Sequence, residues 1–276
     1  MTSSNTENRT PVIFIPHGGG PWHVVDGAMG DPVGYSRLSD WLHEIGERYI
    51  SQAKAILVIS GHWEEHIPTI NFGNDVPLLY DYYGFPKHTY NLSWSAKGDA
   101  VIAAEVEKVL KNSGFQVGEE YSRGYDHGVF VPLMVAAPNV QIPVIQLSLV
   151  DSLNAQTHIS LGKALEPLRN MGILIIASGM TFHNMEGFFN KNERLVKLSD
   201  NFNTWLNNSV STPGEDERNR LLENWASAPG AKESHPRSEH FIPLLVAAGA
   251  AGKSKGTCRF SEYLMEYKIS GYIFED

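Results

Sequence analysis

The chain has a single cysteine in 276 residues, Cys258, so no intrachain disulfide framework can form. Any bound metal must then be held mainly by nitrogen and oxygen donors. Positive charge is also scarce: 22 Lys and Arg stand against 31 Asp and Glu, and the net charge of -9 argues against a nucleic-acid binder. No apolar run approaches the ~20 residues that span a bilayer. The opening MTSSNTENRT lacks the apolar core of a secretory signal, so a soluble, cytoplasmic protein is expected.

Several catalytic signatures are missing as well. There is no HExxH zinc motif, and the glycine-rich HGGGP lacks the Walker-type lysine and the GxGxxG spacing. Ser60 in ISGHW and Ser178 in ASGMT do not sit in a GxSxG elbow. Cys258 has no base beside it and reads as a free thiol. Hydrophobic content of 42% with 19% charged residues separates the chain from disordered sequences.

What is present is a design used three times. Ile56, Leu57, Val58 and Ile59 form a short apolar run that suits a strand buried on both faces. It stops at Ser60 and Gly61, and His62 follows. Val12 to Ile15 run into Pro16, His17 and three glycines. Ile173 to Ile176 run through Ser178 and Gly179 towards His183. Open α/β sheets place ligands at the carboxyl ends of their strands, so each run delivers an imidazole to the expected site.

The remaining pattern alternates strands with helices. Helices are expected over 35–50, 95–112, 153–170, 195–206 and 215–225, with further strands over 142–149 and 171–177. Residues 129–137 form a short apolar segment broken by Pro132. Residues 68–90 form a loop-rich aromatic excursion that could wall a pocket, and 261–274 an edge strand or hairpin. The fold class is therefore α/β: a single domain over 11–276 with a mostly parallel or mixed central sheet covered by helices on both faces. Residues 1–10 are expected to be a flexible tail.

There are 11 histidines, and a lone histidine is more often structural than a ligand. Context singles out His17, His62 and His183 after strands. It adds His127 in a glycine-flanked loop beside Asp126, which could orient its ring, and His240 beside Glu239 at a helix start. His23, His43, His66, His88 and His158 have no such context. Imidazoles with an optional carboxylate suit zinc, iron, copper or nickel, and two histidines with a carboxylate suit non-haem Fe(II).

The motifs PHGGGP, SGHWE, YDHGVFVPL, ASGMTFHN and HPRSEHFIPLL occur in that order. Together they resemble the class III extradiol ring-cleaving dioxygenases, and most closely the DOPA dioxygenase-like branch. The broader family includes the catalytic subunit of protocatechuate 4,5-dioxygenase. The resemblance runs from about residue 11 to 269. It implies an oxidoreductase that uses non-haem Fe(II) and O2 to open a catechol to a semialdehyde, with Zn(II) a possible occupant of purified protein. It implies His17, His62 and His240 as metal ligands, with Glu239 the alternative to His240. His183 is the implied acid–base residue, and a possible further ligand. His127 is the implied substrate contact, and Tyr125 beside it joins the substrate-binding set. His235 is placed behind the site. Where relatives often read HGSP or HGAP, this chain has Gly18, Gly19 and Gly20 before Pro21, a departure that bears on substrate more than on reaction type. A zinc hydrolase and a non-catalytic metal- or ligand-binding protein are the alternatives. Partners are expected to be small molecules, without nucleic acid or membrane; nothing in the sequence sets an oligomeric state.

Overall fold

The computed structural model describes residues 9–190 and 192–276. Among them, eight strands make one sheet: β1 (Val12–Pro16), β2 (Ala55–Glu65), β3 (Thr69–Asn71), β4 (Gly118–Glu120), β5 (Val144–Val150), β6 (Ile173–Gly179), β7 (Lys255–Leu264) and β8 (Tyr267–Glu275). Their order is β4-β3-β5-β2-β6-β1-β8-β7. The central four, β5-β2-β6-β1, are parallel. β8 runs antiparallel to β1 and pairs with β7 as a hairpin, while β3 is antiparallel to β5. The sheet is therefore mixed, with a parallel centre.

Nine helices are described: α1 (Pro32–Arg48), α2 (Ala100–Asn112), α3 (His127–Ala136), α4 (Ala155–Leu165), α5 (Met185–Phe189), α6 (Glu193–Val210), α7 (Glu215–Glu223), α8 (Ala231–Ser234) and α9 (Ile242–Ala251). The strand pleat sorts the core between two layers. Ile13, Ile15, Ile56, Val58, Leu174 and Ile176 join α1 and α3 on one face. Val12, Phe14, Leu57, Ile59, Ile175 and Ala177 join α2, α4, α6 and α9 on the other. Successive side chains on a strand point to opposite faces, so a run apolar at every position is what a sheet covered twice requires.

Helix α9 is buried at every position, as an all-apolar helix must be. Its last carbonyls have no intrahelical donors. Two buried arginines supply them: Arg218 donates to the carbonyls of Ala248 (2.9 Å) and Gly252 (2.7 Å), and Arg169 to that of Ala251 (2.7 Å). This pins the helix whose other end follows His240.

Several boundaries differ from the expected ones for local reasons. β2 does not stop at Ser60 but runs to Glu65, with its register on β5 shifted between Ile59 and Glu64. Such an irregularity bends a strand and re-aims a side chain, and His62 lies within it. Of the apolar segment 129–137, residues 129–136 are helical, because burial of α3 outweighs the lost backbone bond at Pro132. α2 starts only at Ala100, where Asp99 accepts from the N–H groups of Val101 and Ile102. α4 ends at Leu165 and Pro167 converts the rest to a 3₁₀ turn, Glu166–Met171. Of the expected tail, residues 1–8 lie outside the described residues. Arg9 and Thr10 are held: Arg9 pairs with Glu166, and the Thr10 N–H donates to the Arg169 carbonyl. No helix among the described residues is long and apolar enough to cross a membrane.

Candidate active site

The carboxyl ends of the parallel strands bring five histidines together. His17 follows β1 directly, His62 sits in the bent end of β2, and His183 lies four residues beyond β6. His127 opens α3, and His240 comes two residues before α9. The Nε2 atom of His62 lies 3.2 Å from Nε2 of His17 and 3.2 Å from Nε2 of His240. Two nitrogens bound to one ion at about 2.1 Å stand roughly 3.0–3.4 Å apart, so this spacing fits a shared cation.

The outer nitrogens show the same preparation. Nδ1 of His17 lies 3.0 Å from the hydroxyl of Ser178, which itself donates to the carbonyl of Gly128. With its proton spent there, the hydroxyl accepts from His17, so the His17 proton sits on Nδ1 and Nε2 keeps its lone pair. Nδ1 of His240 donates to Oε1 of Glu239 at 2.9 Å, which has the same effect. Burial lowers the pKa of His17 and His240 well below the usual imidazole value, and lowers that of His62 to about 3; the neighbouring histidines add to this. Neutral imidazoles with converging lone pairs are the form a metal takes up. His17, His62 and His240 therefore form one group that fits a divalent ion; His62, Asp81 and His127, and His183, Glu239 and His240, are two neighbouring groups with ligand atoms as close together.

Close backbone packing sets the position of His240. Its carbonyl accepts from the N–H of Met180 at 2.9 Å. A Cβ at Gly179 would lie 2.2 Å from that carbonyl oxygen, and one at Gly61 2.9 Å from the Glu239 carbonyl. The ends of β2 and β6 thus need glycine where the late loop crosses them.

Two further groups flank the cluster. Asp81 accepts from both the backbone N–H (2.9 Å) and Nδ1 (2.8 Å) of His127. Burial raises the Asp81 carboxyl, but its bonds to His127 outweigh this and hold it below the usual range. The ring of His183 stacks on that of His240 with centroids 3.4 Å apart, and its Nδ1 lies 3.4 Å from Oε1 of Glu239. Burial likewise raises Glu239, but His183, the backbone N–H of Glu239 and Arg237 together outweigh it, so it too is held low.

Some expected contacts fall elsewhere. Asp126 does not orient His127; it is buried and receives bonds from Ser60 (2.7 Å) and Gln146 (2.5 Å). Asp81, 46 residues away from His127, has that role, and only its place in the aromatic excursion pointed to it. Tyr125 is not at the cavity: it is fully buried and its hydroxyl donates to the Val144 carbonyl at 2.6 Å. His235 is buried behind the site and faces the Thr181 carbonyl at 3.1 Å through Nε2. Tyr82, Tyr83 and Phe85 of the aromatic excursion line the cavity, whereas the Tyr80 hydroxyl turns to the Leu92 carbonyl. The cavity, of about 460 Å³, has all five histidines in its walls.

An α/β sheet with a candidate histidine metal site at the carboxyl ends of its parallel strands, opening to a mostly apolar cavity, is the arrangement in which this fold class holds ligands. Residues 11–273 match the family described as the catalytic LigB subunit of aromatic ring-opening dioxygenase. The chain is 37% identical to "Dioxygenase tasH" of Hapsidospora irregularis, covering 99% of this chain and 87% of that one. It is 36% identical to "4,5-DOPA dioxygenase extradiol" of Beta vulgaris, covering 90% and 89%. The crystal structure of an uncharacterized protein from Escherichia coli K12 superposes with a TM-score of 0.77 at 25% identity, over 97% of this chain and all of that one. The chain belongs to the LigB family and is an oxidoreductase of the extradiol ring-cleaving dioxygenase class.

Proposed function

We propose that the protein binds Fe(II) through His17, His62 and His240 and opens a substituted catechol with O2 to a ring-opened semialdehyde. The observation that carries this reading is the convergence of three neutral imidazole Nε2 atoms at the end of a cavity that two further, carboxylate-held histidines also line. When bound, the ion supplies Lewis acidity towards the catechol oxygens and a place beside them for dioxygen.

The chain's own groups do the rest. Glu239 beside Nδ1 of His183 draws the ring proton to that side, which leaves Nε2 as a base for a catechol hydroxyl. The same carboxylate stabilises the imidazolium that results, and the proton returns when the ring opens. His127 has its Nδ1 committed to Asp81, so its Nε2 is the atom left to meet the substrate. The apolar walls exclude water from the reacting oxygens. In the overall reaction one ring carbon–carbon bond beside a hydroxylated carbon breaks, and both atoms of O2 enter the product, one at each new end.

The test is metal replacement. Protein stripped of metal and reloaded anaerobically with Fe(II) or Zn(II) is given a catechol panel that includes DOPA, caffeate and protocatechuate, and then oxygen. Uptake and a new visible absorbance in the iron sample alone support the proposal. Hydrolysis of ester or amide substrates by the zinc form, with no uptake by the iron form, favours a zinc hydrolase instead.

A further inference from the structure

Beyond its histidine end, the cavity is built for an uncharged group. We infer that the substrate is a catechol with an apolar, uncharged side chain, rather than one bearing a carboxylate or an amino-acid head; this rests on the catechol reading above. Apart from the histidines, its lining includes Met29, Met180, Met185, Phe188, Phe189 and Met265. Among the described residues, no lysine or arginine lines the cavity.

Apart from the histidines and the exposed Tyr83, each polar side chain that lines it is engaged through at least one atom. Asp81 is bound to His127 through both a backbone and a ring N–H. The Tyr35 hydroxyl accepts from the Gly19 N–H at 3.1 Å, and the Tyr82 hydroxyl donates to the Thr89 carbonyl at 2.5 Å. The arginines near the site in the fold are committed as well. Arg237 forks onto both carboxylate oxygens of Glu64 and reaches Glu239, and Arg123 donates to the His62 carbonyl.

A carboxylate entering this wall would lose its water and find no cation, and Asp81 would repel it. Both bonds from His127 fall on Oδ1 of Asp81, so Oδ2 stays open to an ammonium, but the carboxylate of an amino-acid head would still find no cation in the walls. An alkyl or aryl substituent gains from the same surface by burial. The four methionines add tolerance, since unbranched thioether chains re-pack around differently shaped groups. A cavity of about 460 Å³ falls in the range of sites for ligands larger than one ring.

The experiment compares shape-matched catechols on the metal-loaded protein. Under anaerobic conditions, binding of 4-isopentylcatechol, dihydrocaffeate, its methyl ester and DOPA is followed by calorimetry; oxygen is then admitted and uptake recorded. The isopentyl group and the propionate have nearly the same shape and differ in charge. Binding of 4-isopentylcatechol at least about tenfold tighter than dihydrocaffeate, with the methyl ester between them, is the expected result. Equal or tighter binding of dihydrocaffeate or DOPA overturns the inference, whether or not any compound is turned over. Absence of oxygen uptake with every compound, despite bound iron, overturns the ring-cleavage reading separately. Met185 and Phe189 are exposed enough at the rim (50% and 79%) to accept a charge without disturbing the core. Met185→Arg and Phe189→Arg should each narrow the preference for the isopentyl compound by about tenfold. A preference that neither variant moves overturns the placement of the substituent against this wall.

Discussion

His17 and Ser178 share a hydrogen bond of 3.0 Å whose direction is set by a proline in another element. Pro132 has no N–H, so the carbonyl four residues earlier in α3, that of Gly128, lacks its helical donor. The Ser178 hydroxyl fills that vacancy and is thereby left to accept from Nδ1 of His17. A proline that weakens a helix thus fixes the tautomer of an imidazole two elements away. Ser178→Ala should reduce iron affinity about 10- to 100-fold, the usual effect of removing the group behind a ligating histidine. Metal titration with a competing chelator measures this; unchanged affinity would mean that the hydroxyl does not hold the ring.

Glu239 and His240 exchange expected roles if the cluster is wrongly assigned. His240→Ala should release the metal, whereas Glu239→Gln should retain it with affinity weakened by about 10- to 100-fold. Metal analysis of both purified variants separates the cases. Full retention by His240→Ala would transfer the ligand role to Glu239.

His183→Ala should retain iron and lose turnover if the ion sits among His17, His62 and His240 and not in the adjoining group of His183, Glu239 and His240. Loss of general acid–base catalysis is worth about 10²- to 10⁴-fold in rate. Loss of metal in this variant would instead make His183 a ligand. Asp81→Asn should also keep its metal while kcat falls, since an uncharged amide oxygen holds Nδ1–H of His127 more weakly than the carboxylate does.

Gly179→Ala tests the crossing of the late loop over β6. The added Cβ would lie 2.2 Å from the His240 carbonyl oxygen, so the loop must shift. Overpacking of this kind costs about 1–3 kcal/mol. A lower midpoint in urea together with reduced metal occupancy is expected; wild-type occupancy would show that the loop position does not matter to the cluster.

His235 gives the metal-free protein a pH dependence. It is 2% exposed, Nδ1 has no hydrogen-bond partner among the described residues, and burial lowers its pKa to about 3. Between that value and the unfolded value near 6.5, the unfolded chain binds a proton that the native chain does not. Stability is therefore complete above about pH 6.5 and falls as the pH drops towards 3, by about 2 kcal/mol at pH 5 from this group alone. Urea unfolding of the metal-free protein at pH 7 and pH 5 measures it, and His235→Phe should remove about that much of the difference.

The sequence exposed those parts of the fold that obey short-range rules. Strands covered on both faces must be apolar at every position, so β1, β2 and β6 were visible as runs, and the histidines after them followed. The charged and buried polar partners were not visible. Asp81 meets His127 only because a loop-rich excursion returns across the sheet end, and no spacing in the chain encodes that return. Tyr125 and Asp126 looked like site residues because they adjoin His127, yet the turn into α3 sends both side chains into the interior. Pro132 looked like an interruption because the gain from burying α3 is tertiary. The grip of Arg169 and Arg218 on α9 spans 82 and 30 residues of sequence and has no local sign.

The central claim is that this chain inserts both atoms of dioxygen into a catechol. The most direct measurement is mass spectrometry of the product formed by the Fe(II)-loaded protein under ¹⁸O₂. The account predicts a ring-opened product carrying two heavy oxygens per molecule. A quinone or other product with no label, formed with the same iron occupancy, would contradict it.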